Sequence, residues 1–381
     1  MTSARYLVCG PYGSGNLGDD AIALEITNQI ERYGGTVHIA GIDAGNFTKS
    51  TGRKVGFVRR LDLRRLKVSL IGTLWKCDVV VIGGGEQFSE PRFPNPLWGH
   101  LATNFQLYML AKIFRKKFAA VGVGVSDGLS ALGRFAMRRI ALGADFFSVR
   151  DEGSFQRLKV LAPSADILLS ADPAFLGERI DRKKARSQLC TRFKIESSSK
   201  IVIIMPSNDK FHSLAYVEQL NTSVKKLNEA GVEVVYAVSD SQEGYDSEIF
   251  DRDLLHTSKM ARWAQPGSLS LMELIELITA ADCLVSSRMH PLIFATCQMT
   301  PFVCLSRAGK MDALMKMLGD ENYLRMNFTP AQLVDLVMSK LNAAMPDVYV
   351  SSVGLARASA SAQFDNLAKL AFKEGSVSDS R

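Results

Sequence analysis

Tyr6-Leu7-Val8-Cys9-Gly10-Pro11-Tyr12-Gly13-Ser14-Gly15-Asn16-Leu17-Gly18-Asp19-Asp20-Ala21-Ile22 reads as a short apolar strand, a glycine-rich turn and the opening of a helix. Glycines let a backbone approach a ligand closely, and the helix start behind them offers unpaired N–H groups and a positive dipole end. The turn lacks the Gly-Lys-Ser/Thr ending of a phosphate loop and is not a clean Gly-x-Gly-x-x-Gly fingerprint. Four glycines between Gly10 and Gly18 exceed what a turn requires, so Gly13, Gly15, Asn16 and Asp19 are expected to meet a ligand. At least one of Asp19 and Asp20 is expected to cap the helix.

Outward from this unit, β-branched runs alternate with longer amphipathic segments, the pattern of parallel sheets covered by crossover helices. Strands are expected over 6–9, 37–42, 79–82, 118–123, 146–149 and 167–169, with helices over 21–33, 97–114, 134–142 and 154–161. After a charged and then small, polar stretch at 177–199, read as a linker, the pattern restarts. Strands are expected over 201–205, 232–238, 283–286 and 302–305, and helices over 213–230, 269–281 and 292–297. The fold class is therefore α/β, with two doubly wound domains, 1–178 and 199–345, facing a central cleft. A helix near 350–375, with Leu355, Phe364, Leu367, Leu370 and Phe372 at helical spacing, is expected to pack back on the first domain, and residues 374–381 to form a tail.

The chain has 381 residues, of which 47% are hydrophobic and 22% charged, enough to bury two sizeable cores. Its longest apolar runs are bounded by glycine and fall short of a membrane span. The N-terminus runs straight into a strand pattern, so a cytoplasmic protein is expected. The six cysteines are scattered without Cys-x-x-Cys pairs, which points to reduced core residues and to no metal site. A formal charge of +7 favours acidic partners. Nucleic acid is the least favoured of these, because no recognition motif accompanies the charge. Basic and apolar residues interleave from Arg53 to Lys67; this is a solvated face, or else a peripheral contact with the inner membrane face if the substrate is lipid-linked.

Three further strand ends carry chemistry. Gly83-Gly84-Gly85-Glu86 follows Val79-Val80-Val81-Ile82 as a second glycine loop at the carboxyl edge, where open α/β sheets bind ligands. Phe146-Phe147-Ser148-Val149 delivers Arg150 to that edge, with Asp151 as an alternative ion-pair partner. Ala281-Asp282-Cys283-Leu284-Val285-Ser286 leads through Ser287-Arg288-Met289-His290 into a helix, placing a fixed cation beside a titratable group. With Lys310 after the next strand, Arg150 and Arg288 supply the charge to neutralise a small phosphorylated carboxylate.

Tyr12 to Ile22, Val81 to Gly85, Gly122-Val123-Gly124-Val125, Ser148 to Asp151, Ala171-Asp172-Pro173-Ala174-Phe175 and Ser287 to His290, followed by Pro301 and Lys310, together resemble the polysaccharide pyruvyl transferase family, in family order. Pro291 after the histidine and Glu86-Gln87 after the triple glycine depart from its pattern. The resemblance implies a GT-B-like fold of two Rossmann-type domains. It further implies transfer of the pyruvyl group of phosphoenolpyruvate to two hydroxyls of a saccharide or lipid-linked oligosaccharide, with no cofactor besides that donor. Arg150, Arg288 and His290 then belong to the donor site, mainly on the C-terminal side of the cleft. His290 is the expected general acid and Arg288, with Arg150 and Lys310, the anion clamp; Asp19, Glu86 and Asp172 are candidates for the base. The alternatives are a nucleotide-sugar glycosyltransferase of the same architecture and a non-catalytic scaffold of a polysaccharide-synthesis complex.

Overall fold

The computed structural model describes residues 3–60, 68–91, 99–207, 214–242, 246, 262–264, 267, 269–307, 309–343 and 347–372. Two all-parallel sheets build it. The first is formed by β1 (Arg5–Cys9), β2 (Thr36–Gly41), β3 (Gly56–Arg59), β4 (Val79–Phe88), β5 (Lys117–Val125), β6 (Phe146–Val149) and β7 (Leu168–Leu169) in the order β3-β2-β1-β4-β5-β6-β7. The second is formed by β8 (Lys200–Met205), β9 (Val232–Tyr236), β10 (Arg262–Trp263), β11 (Cys283–Ser286), β12 (Phe302–Ser306) and β13 (Leu324–Arg325) in the order β10-β9-β8-β11-β12-β13. This is the expected pair of Rossmann-like domains.

The central strands are apolar over most of their length because helices cover both faces. Tyr6, Leu7, Val8 and Cys9 of β1 register with Val79, Val80, Val81 and Ile82 of β4, and all eight are buried. On one face of the first sheet lies α1 (Leu17–Arg32), followed in the chain by α2 (Ala44–Thr51). The other face carries α3 (Val68–Lys76), α4 (His100–Ile113), α5 (Ala131–Gly143) and α6 (Glu152–Leu161). The second domain contains α7 (Arg182–Phe193), α8 (Leu214–Glu229), α9 (Leu271–Ala280), α10 (Met289–Gln298), α11 (Gly309–Leu318) and α12 (Pro330–Asn342). All six cysteines are buried and unpaired. Among the described residues, no helix is long and apolar enough to cross a membrane.

In both sheets the chain leaves a central strand to one side and later returns to its other side. The switch points lie between β1 and β4 and between β8 and β11. At such a point the connections diverge and leave a crevice at the carboxyl ends of the strands. The Gly10–Asp20 turn and Glu86 stand at the first, and Ser287–His290 at the second.

Several expectations need correction. The stretch 177–199 is no bare linker: α7 packs along α9, and Arg182 and Arg186 both bind Asp282. Gly83, Gly84 and Gly85 form no loop but continue β4, where missing side chains make room for the first turns of the chain. A Cβ on Gly83 would lie 2.1 Å from the Tyr12 hydroxyl, and one on Gly84 2.9 Å from Ile22. β3 arises within the basic stretch from Arg53, and residues 61–67 of that stretch, like 373–381, lie outside the described residues. The last helix, α13 (Asp347–Phe372), begins earlier than expected, and Leu355 is 73% exposed rather than packed. Phe364 and Leu367 do pack, and the buried Gln363 accepts from Ser148 Oγ at 2.8 Å. Tyr349 of α13 also bonds Asp320 in the second domain, so this helix fastens both domains.

Candidate active site

The two switch points face each other across one cavity of about 430 Å³. Its walls include Asn16, Asp19, Gly85, Glu86, Gln87, His100 and Arg150 from the first domain and Asp240, Arg288, His290, Arg307 and Lys310 from the second. Sequence reasoning thus brought together Asn16, Asp19, Gly85, Glu86, Arg150, Arg288, His290 and Lys310. Gly13, Gly15 and Gly84 do not line this cavity.

The glycines of the first turn serve packing instead. Gly13 has φ +72°, and a Cβ there would fall 2.0 Å from the Asp43 carbonyl oxygen; Gly15, at φ +103°, lies against Ser241. The turn is stitched to the second domain, with Leu17 N donating to Ser239 O at 2.8 Å and Ser241 N to Gly15 O at 3.0 Å. Neither aspartate caps α1. Asn16 does, accepting from Gly18 N at 2.9 Å, while Asp20 turns inward to accept from Gly13 N at 2.7 Å. Asp20 is pushed up to about 6 by burial, which outweighs its hydrogen bonds from Gly13 and Ser50.

That division of labour leaves Asp19 facing the cleft. Among the described residues nothing donates a hydrogen bond to its carboxylate, and its pKa is raised, chiefly by burial, against the opposing charge of His290. The other two candidate bases are locked in the ionised form. Glu86 accepts from Lys310 Nζ at 2.8 Å and from Ser126 Oγ; burial would raise it, but Lys310 and Ser126 bring it down to about 2. Asp172 lies behind the histidine, 2.6 Å from Arg150 Nη1 and 3.8 Å from His290 Nε2. Burial would raise it, but the His290 ring and the Arg150 guanidinium beside it bring it down to about 2.

Arg150 therefore pairs with Asp172 and not with Asp151, which caps α6 by accepting from Ser154 N. Arg288 directs Nε to Asp246 Oδ2 at 2.9 Å and Nη2 to Asp246 Oδ1 at 2.5 Å, with Asp240 3.8 Å away. Every expected cation of the clamp is thus already engaged by a carboxylate, and an incoming anion must share it. Asp240, Asp246, Arg307 and His100 were not foreseen. Arg307 directly follows β12, so the strand-end argument applied to Arg150 would have found it.

His290 sits in the first turn of α10 with its neighbour Pro291, where a missing N–H is tolerated. Its ring lies against Gly18: a Cβ there would come 2.1 Å from Nδ1. Gly18 has no positive φ and sits in a helix, so Gly18→Ala should not destabilise the backbone. The methyl must displace the imidazole, and turnover should fall about 100-fold, as for a catalytic group misplaced by an ångström. Kinetics with a melting curve check this; unaltered turnover would show that the ring position is unimportant.

Comparison with solved structures gives the same architecture. UDP-GlcNAc 2-epimerase from Neisseria meningitidis, bound to UDP-GlcNAc, is similar over 98% of this chain and 100% of its own, with TM-score 0.62 and 9% identity. The corresponding enzyme of Methanocaldococcus jannaschii covers 97% and 100%, with TM-score 0.62 and 12% identity. A glycosyltransferase from Rickettsia africae covers 97% and 96%, with TM-score 0.57 and 12% identity. Such low identities establish the GT-B-like fold and nothing finer. No curated protein sequence matches the chain. A family model for polysaccharide pyruvyl transferase does match, over residues 16–309, from the cap of α1 through both switch points to the residue before Lys310. The chain belongs to the polysaccharide pyruvyl transferase family.

Proposed function

We propose that the cleft moves the pyruvyl group of phosphoenolpyruvate onto two hydroxyls of a saccharide, free or lipid-linked, as a cyclic ketal. The observation that carries this reading is the meeting of His290 with Arg150, Arg288 and Lys310 around one cavity, in a chain of this family. His290 protonates C3 of the enol, and positive charge develops at C2. A sugar hydroxyl adds at C2 and gives its proton to Asp19, the one candidate base not tied to a cation. The C2–O bond to phosphate then breaks, the second hydroxyl closes the ring, and its proton leaves with the phosphate. The proton held by Asp19 restores His290, so one proton enters and two are released, one to each acceptor.

Arg150 and Lys310 are placed to take the donor's carboxylate and phosphate as their own carboxylates yield, and Arg288 completes the charge. Phosphoenolpyruvate supplies both the transferred group and the leaving group, so the reaction draws on no further cofactor. The saccharide enters from the Glu86 and His100 side.

Phosphoenolpyruvate, but not UDP-GlcNAc, is expected to raise the melting temperature, and a glycan acceptor is expected to gain the mass of one pyruvyl ketal. Stabilisation by UDP-GlcNAc alone would favour a nucleotide-sugar glycosyltransferase, and stabilisation by neither a non-catalytic scaffold.

A further inference from the structure

The helices α3, α4 and α5, which cover one face of the first sheet, have two sides of opposite character. Their inner sides, with Leu70, Leu74, Leu107, Met137 and Ile140, pack on the sheet. Their outer sides leave large apolar residues in the open. Trp75 and Ile113 are each 67% exposed and Phe135 57%, and Met109, Leu132 and Leu142 are exposed as well. Leu132, Phe135 and Leu142 fall on one stripe of α5, and Met109 and Ile113 on one stripe of α4. α4 packs along α5, and Trp75 of α3 meets Phe114, the residue after α4, edge to face at 5.7 Å between centroids. The exposed apolar groups therefore belong to one continuous layer.

Charge on this layer has a single sign. None of the three helices contains an aspartate or glutamate. Lys76, Arg115, Arg138 and Arg139 are exposed around the apolar groups, and none of them forms an ion pair among the described residues. The acids that follow α3 and α5, Asp78 and Asp145, are taken by Arg5 and by Lys112 with Lys117. The whole chain has 46 basic and 39 acidic residues, so the excess here comes from placement more than from composition. Pairing the face with a second copy would set like charges against each other. An anionic bilayer complements it in both respects, with acyl chains for the apolar groups and headgroups for the cations.

We propose that the outer face of α3, α4 and α5 docks the protein on an anionic lipid bilayer, with Trp75, Ile113, Leu132 and Phe135 entering the interface and Arg138 and Arg139 meeting the headgroups. α4 links this face to the cleft: its first residue, His100, lines the cavity, and its last, Ile113, stands in the face about 20 Å along the helix. The docking surface stands whatever chemistry the cleft performs.

The test is co-sedimentation of the full chain with vesicles of phosphatidylglycerol and phosphatidylcholine in equal parts, against vesicles of phosphatidylcholine alone. The mixed vesicles should bind at least about tenfold more tightly, and the preference should shrink as salt rises. Leu132→Ser with Phe135→Ser, and separately Arg138→Glu with Arg139→Glu, should each weaken binding to the mixed vesicles about tenfold or more. Their melting temperatures should not change, because all four side chains are exposed. Lys183→Glu with Lys184→Glu makes the same change of net charge at the exposed start of α7 and should bind as the wild type does. Equal binding to both vesicles, wild-type binding by both face variants, or the same loss in the α7 variant overturns the docking surface. So does a dimer in sedimentation velocity that Leu132→Ser with Phe135→Ser dissolves, which would assign the face to a second copy.

Discussion

His290→Ala is expected to fold with an unchanged melting temperature and to lose ketal formation by about 10²–10⁴-fold, the contribution of a positioned general acid. The ring is seated by Gly18 on one side and stacks with Phe294 at 6.4 Å between centroids on the other. It takes no part in the domain cores, which is why truncation should spare stability. Affinity for phosphoenolpyruvate should survive, since Arg150, Arg288 and Lys310 remain. A steady-state assay of phosphate release, paired with a donor-binding titration, separates the two effects. Near-normal turnover would remove His290 from the chemistry.

Asp172→Ala should produce the largest loss of stability. Asp172 and Arg150 have side chains 3% and 5% exposed and meet at 2.6 Å. Deleting the acid strands a buried guanidinium, which costs about 3–5 kcal/mol. The substitution also removes the hydrogen bond from Ala174 N to Oδ1 at 3.0 Å. Urea unfolding measures the loss, and the Arg150→Met, Asp172→Ala pair should recover much of it by replacing both charges with apolar volume. The wild-type carboxylate also leaves a pH signature. Its folded pKa, about 2, lies below the ordinary 3.8, so its contribution is complete above pH 4 and is lost as pH falls toward 2. That loss amounts to about 2 kcal/mol and should be missing in the variant. A loss of stability below about 1 kcal/mol would mean that Arg150 finds another carboxylate, as an exposed cation can.

The strands that define the fold were legible because parallel strands buried on two faces are written as unbroken apolar runs. β1 and β8 show it: the runs Tyr6–Cys9 and Ile201–Met205 mark the strands Arg5–Cys9 and Lys200–Met205 to within one residue. β3, β10 and β13 were not, since edge strands of two to four residues have one wet flank and no such run. Among the site residues, those at strand ends were visible because topology alone fixes where a strand end points. The partners of the arginines were hidden. Asp172 is 22 residues from Arg150 and Asp246 is 42 from Arg288, and such pairings depend on how two crossovers dock. Glycines misled for a related reason: at Gly13, Gly15 and Gly84 the space denied to a side chain is taken by protein, not ligand, and the sequence reads the same in both cases.

The stitch between residues 15–17 and 239–241 bears on how the cleft breathes. Main-chain bonds join the two domains on that flank of the cavity, and α13 fastens them a second time. At the other flank they meet through Glu86 and Lys310, a pair of partly exposed side chains. That ion pair lies on the cavity wall, with its lysine 33% and its glutamate 42% exposed, where an incoming charge can compete for it. In the proposed transfer, the departing phosphate carries such a charge and competes with Glu86 for Lys310.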